Sequence, residues 1–114
     1  MRTMHIKPIF LDEIKAGRKT LEVRVGYEKN KIITKGEKIL MASQNDSGLV
    51  EVLDIRTYNN HVSLSENEDY KKIVPYLQSK DEVFNVLNDI YPPDKVKLGL
   101  IVLEIKAVKE TTVE

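Results

Sequence analysis

The sequence predicts an α+β fold, a small mixed β-barrel with two or three flanking helices. Three observations lead there. Stretches that alternate apolar and polar residues, the period of a strand, outnumber stretches with helical spacing. The helices fall between strands at irregular intervals, which excludes a regular doubly wound parallel sheet. Residues 98–106 form a nearly continuous apolar run through Leu100, Ile101, Val102, Leu103 and Ile105. That run is too short for a membrane span and suits a central strand buried on both faces. At 114 residues one domain is expected, spanning 1–108, with a polar tail at 109–114.

Taken in order, residues 2–7 read as a first strand, with Met4 and Ile6 on one face, and Pro8 ends it. Residues 9–16 form a short helix on which Phe10 and Ile14 share a face. Pro8 suits its first position, and Gly17 suits the left-handed residue after its last turn. Leu21, Val23 and Val25 then alternate with Thr20, Glu22 and Arg24. Residues 26–35 make a basic loop with Lys29, Lys31 and Lys35, room for one helical turn, and either a solvated or a ligand-closing role. Residues 37–42 and 49–56 read as a hairpin around a turn-rich loop at 43–48. The acidic run 65–69 reads as a solvated helix start, lacking the spaced carboxylates and glycine of a calcium loop. Ser79 and Glu82 have capping-box spacing. The helix behind them carries Val83, Phe84, Val86, Leu87 and Ile90 as a core stripe until Pro92 and Pro93 stop it.

Composition excludes several functions. There is no cysteine, which removes disulfides, thiolate metal sites and a cysteine nucleophile, and fits a reducing cytoplasm. His5 and His61 are the only histidines, too few for a multi-histidine zinc site, so neither a metal nor a cofactor is expected. Aromatic residues are 6% and tryptophan is absent, which argues against a broad base-stacking surface. No apolar block marks a signal peptide or a membrane span, so a cytoplasmic protein without membrane contact is expected. Net charge is zero, yet residues 1–40 carry 10 Lys/Arg against 5 Asp/Glu, while residues 41–94 carry 4 against 10. This placement favours a local anionic ligand near the first third over a long nucleic-acid footprint.

The candidate chemistry lies in residues 17–24. Alternation puts Thr20, Glu22 and Arg24 on one strand face, about 3.3 Å per residue, with Lys19 at the strand's mouth. Arg24 offers a planar donor fork for an oxyanion, and Glu22 accepts from an exocyclic amine such as that of a nucleobase. Lys19 supplies a point charge, or a nucleophile if burial lowers its pKa. The bland alternative is an exposed face in which Glu22 simply pairs with Lys19 or Arg24. His5 could face the same cleft or serve as a hydrogen-bonded structural residue.

The spacing Gly17-x-Lys19-x-x-Glu22-x-Arg24 resembles the GxKxxExR signature of the ASCH domain family. Lys7-Pro8, residues 36–39, Ile90-Tyr91-Pro92 and the last apolar strand resemble that family in the same order, over residues 4–106. The resemblance implies a PUA-like barrel with a cleft that holds RNA or a nucleotide-like ligand. It implies ligand-binding roles for Lys19, Glu22 and Arg24, and Thr20, His5 and Ser43 are further candidates for the same ligand. One branch of the family hydrolyses N4-acetylcytidine with a lysine, a threonine three positions later and a downstream glutamate. Here Lys19 matches the lysine, but Glu22 occupies the threonine's position, and only Glu66 and Glu68 stand near as glutamates. As an enzyme the chain would rely on Lys19 and Glu22, acting on a modified nucleoside or, as in a few relatives, on RNA. A third possibility is a protein-interaction domain with a structural motif.

Overall fold

The computed structural model describes residues 1–109. The expected tail therefore lies outside the described residues from 110 onward. Eleven elements follow one another: β1 (Arg2–His5), α1 (Pro8–Lys15), β2 (Leu21–Val25), α2 (Glu28–Lys31), β3 (Lys38–Ala42), β4 (Ser47–Tyr58), α3 (His61–Asn67), α4 (Tyr70–Ile73), α5 (Lys80–Ile90), α6 (Pro93–Val96) and β5 (Leu100–Ala107). The five strands form one curled sheet in the order β1-β3-β4-β5-β2. β1 runs parallel to β3 and every other pair is antiparallel, so the sheet is mixed.

β5 shows why its sequence is apolar on both sides. Ile101, Leu103 and Ile105 enter a core with Leu11, Ile39, Met41, Val50 and Val52. Leu100 and Val102 enter a second core with Leu21, Val23, Leu64, Ile73, Val83 and Leu87. A strand with a core against each face has no room for alternation. α1 bridges the two cores: Ile14 joins the first, and Phe10 packs on the second. β4 carries a register shift between Val52 and Asp54, and Leu53, the residue between them, is left exposed.

The helix count exceeds the sequence expectation. Besides α1, α3 and α5, three single turns of four residues occupy connections. Pro93 at the start of α6 and the Asp69 cap of α4 nucleate two of them locally, too briefly for any period to show. The serine half of the capping box is present: the Ser79 hydroxyl accepts from the Glu82 amide, while the Glu82 carboxylate accepts from the Gln78 amide, and α5 runs to Ile90.

The acidic run 65–69 departs from expectation. Its first residues close α3, only Asp69 opens a helix as the cap of α4, and Glu68 turns inward. Arg56 grips the Glu68 carboxylate with two bonds, Nε at 2.6 Å and Nη2 at 2.9 Å. Tyr58 donates its hydroxyl to Glu68 at 2.5 Å. β4 runs on to Tyr58 and so brings both partners to Glu68. The fork of Arg56 also reaches Asp54 and Glu104, at 3.0 and 3.1 Å. This network ties β4, β5 and the end of α3 together.

A cleft along the seam between the edge strands

β1 and β2 are the two edges of the sheet, and its curl brings them face to face. They share no ladder. One side chain joins them: the Arg24 guanidinium of β2 donates through Nη2 to the His5 carbonyl of β1, at 2.9 Å. A cleft opens along this seam, with a cavity volume of about 170 Å³.

Local structure delivers the charged floor. α1 ends at Gly17, whose φ of +79° is the left-handed turn that the sequence calls for. The amides of Arg18 and Lys19 then donate to the Glu13 carbonyl, and that of Thr20 donates to Lys72. The chain enters β2 with Lys19 turned inside, 3% exposed. The Lys19 ammonium donates to the Leu21 carbonyl at 2.6 Å and the Ile73 carbonyl at 2.8 Å, and lies 3.1 Å from Glu22 Oε1. Three protons meet three acceptors, so the ammonium is fully committed. It also sits 5.3 Å from the centroid of the Phe10 ring, a cation–π contact.

Glu22 is buried, 6% exposed, between two cations. Arg24 donates from Nε to Glu22 Oε2 at 2.8 Å, and its Nη2 lies 2.6 Å from the same oxygen. Burial pushes the Glu22 carboxyl up; the charges of Lys19 and then Arg24 together outweigh it and hold the group below the usual carboxylate range. The floor is therefore ionised at neutral pH and carries two positive charges against one negative. Burial pushes the Arg24 guanidinium down, and Glu22 more than offsets that, leaving it above its ordinary value.

The walls are apolar. Phe10 comes from α1, Ile73 and Val74 from the end of α4, and Val86, Leu87 and Ile90 from α5. The α5 stripe, expected to be wholly core, divides: Val83 and Leu87 pack inside, while Val86 and Ile90 face the cleft beside Leu87. Tyr91 closes one end. Its hydroxyl donates to the Val23 carbonyl at 2.7 Å, and burial pushes its pKa up to about 12.

Of the site residues expected from the sequence, Lys19, Glu22, Arg24 and His5 converge on this cleft. Thr20 does not. It lies before β2 begins and lines a separate hollow with Arg56, Glu68 and Lys72. Ser43 sits in the β3–β4 turn, where its amide donates to the Asp46 carbonyl, and it does not line the cleft. Glu68 is bound to Arg56, Glu66 is exposed, and neither lines the cleft. Sequence reading gave Tyr91 no role beyond the helix stop; the two prolines after it are the only local signal of its fixed position. Among the described residues, no group of three His, Cys, Asp or Glu side chains is placed to hold a metal ion.

A model of the ASCH domain family matches residues 4–109. The chain belongs to the ASCH domain family. Solved structures of two similar proteins share the ASCH chain's fold over its length. The crystal structure of hypothetical protein PH0355 is 26% identical, with a TM-score of 0.82, and the match covers 95% of this chain and 100% of that one. The solution structure of protein PF0455 from Pyrococcus furiosus is 27% identical, with a TM-score of 0.74, covering 96% and 98%. Protein EF3133 from Enterococcus faecalis V583 shares the fold at 10% identity and a TM-score of 0.60, covering 87% of this chain and 66% of that one. No curated protein matches the chain. No helix among the described residues of this ASCH protein is long and apolar enough to cross a membrane.

Proposed function

We propose that this ASCH domain binds RNA or a nucleotide-like ligand, with one base entering the seam cleft. The observation that carries the reading is the ionised Glu22 carboxylate buried under apolar walls. Glu22 Oε1 keeps a lone pair beyond its Lys19 contact, and Arg24 Nη1 has no partner among the described residues. An acceptor beside a donor suits a ring edge that offers an amine next to a ring nitrogen. Cytosine and adenine both have such an edge. The cleft's volume is close to the roughly 150 Å³ of an apolar cavity that takes a benzene ring, so one base fits and a stack does not.

Binding is favoured over catalysis by Lys19. Its ammonium spends all three protons on fixed acceptors, which leaves no free amine to attack or to shuttle protons. Its part is to keep Glu22 ionised. Titration calorimetry of the protein with cytidine, adenosine and a short RNA tests the reading, with Glu22→Gln as the control. Saturable binding that weakens strongly in the variant is expected. Failure of every probe would favour a protein-interaction role. Incubation with N4-acetylcytidine and analysis for cytidine and acetate tests the hydrolytic alternative; turnover would overturn the assignment of Lys19 to a supporting role.

A further inference from the structure

We infer that the hollow adjoining the cleft is a phosphate subsite, so the ligand is a nucleotide or a strand of nucleotides and not a free nucleoside; this rests on the proposed reading of the cleft. The hollow has a cavity volume of about 320 Å³. It shares His5, Arg24 and Tyr91 with the cleft, so the two form one trough along the β1–β2 seam. Arg2 from β1 and Lys29 from α2 complete its charged lining. Arg2, Arg24 and Lys29 thus line it, and no carboxylate does.

The two guanidiniums, and the turn that carries Lys29, are held in place before any ligand arrives. Arg2 is fixed by its Nε bond to Glu37 at 2.7 Å and by its Nη1 bond to the Lys29 carbonyl at 2.6 Å. Arg24 is fixed by Glu22 and His5. The turn bearing Lys29 is locked by buried Asn30, whose Nδ2 donates to the Val25 carbonyl at 2.8 Å. It is locked again at Gly26, where any Cβ would stand 2.2 Å from the Leu98 carbonyl oxygen. Lys29 itself is exposed and has no ion pair among the described residues, whereas Lys31 in the same turn lies 3.7 Å from Glu28. Charge is thus concentrated here in a chain whose net charge is zero. A neutral nucleoside would use the cleft and Arg24 and leave Arg2 and Lys29 idle. A phosphate attached to that nucleoside would meet preset guanidinium donors and the exposed Lys29 ammonium, the strongest partners an oxyanion has.

The full chain is titrated with cytidine and adenosine, with their 5′- and 3′-monophosphates, and with inorganic phosphate, at low and raised salt. A monophosphate is expected to bind about tenfold tighter than its nucleoside, and the advantage shrinks as salt rises. Lys29→Glu, an exposed change that leaves the fold intact, is expected to erase the advantage without altering nucleoside affinity. Monophosphates no tighter than nucleosides, or an advantage that survives Lys29→Glu, would overturn the subsite while leaving the cleft reading in place. Inorganic phosphate binding as tightly as the monophosphate would also overturn it, by uncoupling the hollow from the base. Nucleosides, nucleotides and RNA all failing would remove the cleft reading and the subsite together.

Discussion

Lys19→Met is the sharpest perturbation of the buried floor. Methionine keeps the stem's length and apolar bulk and removes only the charge and its protons. The Leu21 and Ile73 carbonyls lose their donor, and Glu22 keeps Arg24 alone. Removing one partner of a buried ion pair costs about 3–5 kcal/mol. For a chain of this length each kcal/mol moves the melting temperature by about 4 °C, so a fall of about 12–20 °C is expected. Urea unfolding at neutral pH measures the free energy directly. A second reading comes from acid. With Lys19 gone, burial acts on Glu22 against a weaker pull and its carboxyl rises, so the folded variant takes up that proton more readily and its deficit against the parent narrows as pH falls. Adding Glu22→Gln removes the other charge as well, and the double variant is expected to regain about 1–2 kcal/mol over the single. A loss below about 1 kcal/mol for Lys19→Met, the worth of an exposed pair, would refute the reasoning. So would a double variant weaker than the single.

Three further outcomes are expected. Glu22, Glu37, Asp46, Asp54 and Glu68 all lie below their ordinary carboxylate values, so the folded chain holds fewer protons than the unfolded one; stability is complete above the unfolded values near pH 4 and is lost as pH falls through the lower folded ones. Melting curves from pH 7 down to pH 3 check this, and a flat profile would refute it. Gly26→Ala is expected to cost about 3 kcal/mol because backbone must move, whereas Gly17→Ala, set in open space at φ +79°, costs only about 1–2 kcal/mol of left-handed strain; equal losses in urea would contradict the distinction. Ultraviolet titration of the tyrosines should show one group ionising near pH 12, absent in Tyr91→Phe, and an unchanged curve would separate Tyr91 from the buried environment described.

Much of this was legible in the sequence because the physics was local. Gly17 after a short helix, the alternation of Leu21, Val23 and Val25, and the Ser79 cap each depend on neighbours a few residues away, and each stands in the structure. Tertiary events were not legible. Glu68 turns inward because Arg56, 12 residues earlier, waits on an extended strand, and nothing in 65–69 reports that. Thr20 shares the period of Glu22 and Arg24, yet the entry into β2 carries it to another hollow. A period of two holds only where the strand is regular. The same limit explains the α5 stripe: spacing shows which residues share a helix face, not where the core beneath that face gives way to a cavity.

The charged floor is hard to understand as a stabilising device. A buried ion pair or triad exchanged for apolar groups of similar volume leaves stability about unchanged or raises it. β2 already has five ladder partners in β5 and three buried apolar side chains. The edge strands need one bond to meet, and Arg24 could supply it to His5 without Glu22. What Lys19 and Arg24 accomplish jointly is to keep one carboxylate ionised under apolar walls, where alone it would take up a proton. Burial opposes the charge, and each cation adds to the pull that outweighs it. The seam is where such a group is reachable, since no backbone ladder closes it. A Lys19→Met/Glu22→Gln protein that folds yet binds no nucleotide would therefore separate what the barrel needs from what its unclosed edge does.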